Sequence, residues 1–155
     1  MDNIPDLWGD VKATAVTPAH VLRIQANHLK RKTGGLLEAT VQSYDEDGRK
    51  LVRFEVVAPV LGRVGEALFA ISHDPGKPYP AILHIDFFVQ EAGLFRASND
   101  DFDSEYQIDV RSQSDLMDVL PKVFQSPQVQ TTLESLIASS NEVAAEGREP
   151  AAVGA

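Results

Sequence analysis

VRFEVVAPVLGRVGEALFAISHDPGKPYPAILHIDFF, residues 52–88, is the densest apolar stretch of the chain, and its reading decides the fold. Residues 51–58 alternate Val52, Phe54 and Val56 with Arg53 and Glu55, the period-two pattern of a strand with one buried face. Pro59 ends that run because it has no N–H to give to a ladder. Residues 66–72 and 81–88 are strand-like and apolar on both faces, and the polar, proline-rich 73–80 between them reads as a loop. Closing this hairpin at Ser72 and Ala81 sets Ile82 opposite Ile71 and His84 opposite Phe69. One face then carries Leu68, Ala70, Leu83, Ile85 and Phe87, and suits a helix-covered core. The other carries Phe69, Ile71, Ile82 and Phe88, interrupted by His84 and Asp86. A sheet that is apolar on both sides is covered twice or exposes an interaction surface. Phe69, Ile71, Ile82, His84, Asp86 and Phe88 are therefore the candidate interaction residues.

Upstream, residues 36–44 alternate as a further strand, and its register on 51–58 follows from charge. A four-residue loop would set Glu38 against Glu55, an unfavourable like-charge pair. A two-residue turn at Asp47-Gly48 sets Glu55 against Thr40 and supplies the residues a type I′ turn requires. Thr17-Pro18 is an N-cap followed by a first-turn proline, so a helix starts there. Val21, Leu22, Ala26 and Leu29 form its apolar stripe, and Gly34-Gly35 its left-handed stop. The arm before it, 1–16, is irregular, and Trp8 in it either docks on the core or reaches a partner.

Downstream, Tyr106, Ile108 and Val110 alternate as a short fifth strand. Ser112 with Asp115 caps a helix that Pro121 should kink or divide, and Ser126-Pro127 opens the last one. From Asn141 the sequence has little bulk to bury and is expected to be disordered. The expected architecture is α+β: an arm (1–16), one domain (17–140) and a tail (141–155). That domain has an N-terminal helix, an antiparallel meander of four or five strands, and two C-terminal helices on the sheet.

Composition narrows the chemistry. The net charge of -9 argues against a nucleic acid partner and would steer a basic one inward. The absence of cysteine excludes disulfides, thiolate metal sites and thiol nucleophiles. No leader pattern and no spanning apolar run is present, so the expected location is the cytoplasm, with no membrane partner. His84 and Asp86 share a strand face, with His73 and Asp74 at the other end of the hairpin, but no metal-binding or hydrolase spacing supports them. The acidic run Asp100, Asp101, Asp103 and Glu105 lacks the glycine of a calcium loop, and Arg23, Lys30, Arg31 and Lys32 read as a solvated helix face. No catalytic residue, cofactor or metal is expected. The favoured reading is a non-catalytic protein-interaction module, of adaptor, chaperone or immunity type, binding a protein partner or a second copy. The alternative is a small enzyme or ligand-binding protein with a polar pocket near His84 and Asp86, joined by Tyr44, Arg53 or His73.

Overall fold

The computed structural model describes residues 3–10, 16–85 and 106–148. Helix α1, Pro18–Lys32, begins where the sequence places it: the Thr17 hydroxyl accepts from the His20 N–H at 3.2 Å. Its last turn holds Lys30, Arg31 and Lys32, cations that suit the negative end of the helix dipole. Gly34 and Gly35, at φ 60 and 86, take the left-handed backbone of the stop. The Thr33 hydroxyl reaches the Leu29 carbonyl (3.0 Å) and receives the Leu37 N–H (3.1 Å), tying the helix end to the strand that follows.

Five strands follow: β1 Glu38–Glu46, β2 Arg49–Ala58, β3 Val64–Asp74, β4 Lys77–Ile85 and β5 Tyr106–Val110. They form one antiparallel sheet in chain order, the expected meander. The β1–β2 turn is the tight one, with Asp47 and Gly48 at φ 51 and 77 and Glu55 opposite Thr40. Glu38 lies opposite Val57, and its carboxylate meets Lys30 (3.3 Å) and Arg63 (3.6 Å).

The β3–β4 hairpin departs from the expected register by one residue. Ile71 pairs with Leu83, Phe69 with Ile85, and Ala70 with His84. Most of 73–80 is strand and not loop; the turn is Pro75-Gly76. Between the Asp74–Lys77 and His73–Ala81 pairs, Pro78, Tyr79 and Pro80 have no partner on β3, a bulge where prolines forfeit no ladder bond. That insertion reverses the parity of everything beyond it, so Phe69 and Ile71 point to the helix-covered face and Ala70 away from it. A second bulge, between Phe54 and Glu55 on β2, sets Phe69 against Phe54 and Ala67 against Glu55. Leu68 between them is buried as fully as Phe69.

Helix α2, Gln113–Phe124, is capped by Ser112, whose hydroxyl accepts from the Asp115 N–H, and it runs through Pro121 without dividing there. Helix α3, Pro127–Arg148, extends past the expected start of the tail at Asn141, with residues 149–155 outside the described set. Ala144, Ala145 and Glu146 are strong helix formers and sustain it with little burial. The three described α-helices contribute to one core with the same sheet face: Leu22, Leu116, Leu120, Val123 and Val129 lie with Val52, Phe54, Ile71, Leu83 and Val110.

Beside the core, the Tyr79 hydroxyl donates to the Val16 carbonyl at 3.0 Å, pinning the root of the arm. Burial raises the Tyr79 pKa above its usual 10.0. Tyr79→Phe should cost about 1 kcal/mol near neutral pH. Because the folded pKa is the raised one, the tyrosine's advantage persists below the unfolded value and fades as pH climbs above it. Urea titrations of both proteins at neutral pH and about pH 11 should show the gap narrowing; a gap constant with pH would refute the assignment.

Candidate functional site

The candidate residues named from the sequence do not share one surface. Phe69 is 3% exposed and Ile71 fully buried, both in the core, so neither offers interaction surface. Ile82 and His84 lie on the opposite face, which carries no helix among the described residues. Asp86 and Phe88, and the acidic run 100–105, fall outside the described residues.

That open face holds a shallow groove of about 390 Å³, with Leu51, Ala70 and Ile82 as its apolar strip and Ser72 and His84 beside Arg49. Ser72 lies opposite Ile82, diagonal to His84, and its Oγ sits 2.9 Å from His84 Nε2. Arg49 donates to Ser72 Oγ at 3.4 Å through one nitrogen and to Asp74 Oδ1 at 2.8 Å through the other. His84 therefore does meet polar neighbours, although not the expected ones. Tyr44 stands 43% exposed at the edge, and Arg53 pairs with Glu55 at 3.5 Å. His73 points to the core side and donates its Nδ1–H to the Asp74 carbonyl. The expected register put Ser72 and His84 on opposite faces, so the Ser72 contact follows from the one-residue shift.

A second groove, of about 430 Å³, lies on the helical side between α1 and the α2–α3 corner. Phe54, Val56 and Leu68 form its floor. Leu29, with Gln25, His28 and Lys32, makes one wall, and Phe124, Leu133 and Ile137, with Gln125, Gln130 and Glu134, the other. Phe54 stacks on Phe69 (centroids 5.3 Å, 11°), and Phe124 tilts against both at 5.6 and 5.9 Å, so a three-ring cluster joins the floor to the α2 wall. Leu29, Phe124, Leu133 and Ile137 stay half-buried, each packed against the core. The basic groups sit on the α1 side: Arg31 bonds His28 Nδ1 at 2.9 Å, and Lys32 makes no ion pair among the described residues.

Sequence reasoning missed this groove because its residues come from three distant segments. The available signal was an apolar surplus: Phe54, Leu68 and Phe124 line the groove, while the α1 stripe narrows to Ala26 at mid-helix.

Among the described residues no group of three or more His, Cys, Asp or Glu could hold a metal ion, and no helix is long and apolar enough to cross a membrane. Comparison with protein-family models, curated proteins and solved structures finds no match to this chain.

Proposed function

We propose that the protein is a non-catalytic protein-interaction module whose helical groove takes a short amphipathic segment of a partner. The observation that carries this reading is the set of half-buried apolar walls, Leu29 on one side and Phe124, Leu133 and Ile137 on the other, facing each other over a closed base of Phe54, Val56 and Leu68. A groove of this shape suits an amphipathic segment with apolar anchors at i, i+3 and i+4. Lys32 and the Arg31–His28 pair favour acidic residues on the flank that meets α1. The net charge of -9 does not oppose this. Charge effects are screened over about 8 Å at physiological ionic strength, so at contact the local rim outweighs the distant acids.

Selection from a displayed peptide library tests the reading. Winners should carry that apolar spacing with acidic residues, and Lys32→Glu or Leu133→Asp should weaken them about tenfold or more, the equivalent of about 1.4 kcal/mol. Winners insensitive to both substitutions would sink it.

A second reading, a ligand pocket on the open face, is favoured by the Ser72–His84 contact beside Arg49. It suits a small carboxylate with an apolar tail lying on Leu51 and Ile82. Butyrate titrated by NMR should shift the His84 ring signals in the native chain and leave His84→Ala folded but unresponsive; equal responses would remove this pocket.

A further inference from the structure

We propose that the chain's own N-terminal arm, residues 3–10, docks in the helical groove, an inference that rests on the groove taking apolar-anchored segments. In the structure the arm stands in solvent with Ile4, Leu7 and Trp8 75%, 80% and 84% exposed. Three large apolar side chains held in water are costly to leave unpartnered, and the same molecule carries a groove whose walls leave Leu29, Phe124, Leu133 and Ile137 half-exposed.

The match extends beyond apolarity. Ile4, Leu7 and Trp8 are spaced i, i+3, i+4, which puts them on one side of a single helical turn. Asn3 and Pro5 suit the start of such a turn, and Gly9, at φ 70, its stop. Asp2 and Asp6 give the start of the arm the charge that the Lys32 side of the groove attracts.

Reach is sufficient. Tyr79 pins Val16, and the eight steps from Val16 back to Trp8 span roughly 26 Å when extended. Along α1 from Pro18, Gln25 lies at roughly 10 Å and Lys32 at roughly 21 Å. A tether this short holds the arm at an effective concentration of about millimolar, so the chain's own arm outcompetes that of a second molecule in dilute solution. The docked arm then competes with a partner segment, and the groove opens only to segments that bind better than the tethered arm.

The chain has one tryptophan and no cysteine, so a single donor and a single quencher can be placed without background. A nitroxide on Glu134→Cys sits on the groove wall, and one on Gln42→Cys sits on the opposite sheet face. In the full chain, Trp8 emission should be quenched at least about twofold more from position 134 than from 42, unchanged over about a hundredfold dilution. Replacing Ile4 and Leu7 with Asp, both exposed in the structure, should abolish the difference. Equal quenching from both positions would overturn the proposal, and quenching that fades on dilution would overturn it in favour of a second copy's arm. If Trp8 is not quenched but a display-selected peptide perturbs the Glu134→Cys label, the arm inference falls and the groove stands; if neither responds, both fall.

Discussion

Phe69→Ala is expected to cost about 3–5 kcal/mol of folding stability, and Ile82→Ala, on the neighbouring strand, only about 1 kcal/mol. Phe69 is 3% exposed, stacks on Phe54 and meets Phe124, so its removal leaves a cavity at the junction of β2, β3 and α2. Two ring contacts disappear as well, each worth about 0.5–1.5 kcal/mol beyond area. Ile82 is half-buried on the open face, where the groove beside it accepts water in place of the lost methyls. Urea denaturation should report the gap as a lower midpoint for Phe69→Ala at unchanged slope. Comparable losses for the two variants would mean that the open face is a second core, and the two-sided assignment would be wrong.

The same pair of residues shows where the sequence was not legible. Phe69 and Ile82 were expected on one face because 66–72 and 81–88 are apolar at both parities, so sliding the hairpin by one residue breaks no pattern. Nothing in composition marks which of Pro75-Gly76 or the Pro78–Pro80 stretch closes the turn and which forms the bulge. On β1 and β2 the opposite holds. Glu38, Glu55, Asp47 and Gly48 over-determine the register, and it is the one observed. Helix starts were legible for a similar reason, since Thr17, Ser112 and Ser126 each place a hydroxyl where an orphan amide needs it. The β1–β4 part of the meander was legible because short connections leave few other topologies. The sites were not. Ser72 met His84 only through the shifted register, and the helical groove depends on how far α1 stands from α3, a distance no local pattern encodes.

Gly65→Ala is expected to cost about 1–3 kcal/mol although the residue is exposed and its φ is ordinary. Gly65 pairs with Val57, and a Cβ there would collide with the Val56 carbonyl oxygen and lie 2.7 Å from Val57 Cγ1 and 2.8 Å from Val57 Cα. Two of these three obstacles are backbone, so no rotamer change relieves them; β2 and β3 must separate or the strand end must fray. Fraying breaks the Val57–Gly65 and Ala58–Val64 pairs and exposes Val57 and Ala58, both buried, so either route loses stability. Val57→Ala removes the Cγ1 contact but leaves the backbone ones, so in a double-mutant cycle it should recover little of the loss. Gly48→Ala supplies the contrast: nothing lies within 4 Å of its Cβ, and its penalty of about 1–2 kcal/mol comes from a φ of 77. Gly48→Asn, which tolerates that φ, should restore most of it. Gly65→Asn should be no better than Gly65→Ala, because the obstacle there is space and not backbone angle. Recovery by Asn at position 65, or by Val57→Ala, would show that the two strands are not packed backbone to backbone at this end of the sheet.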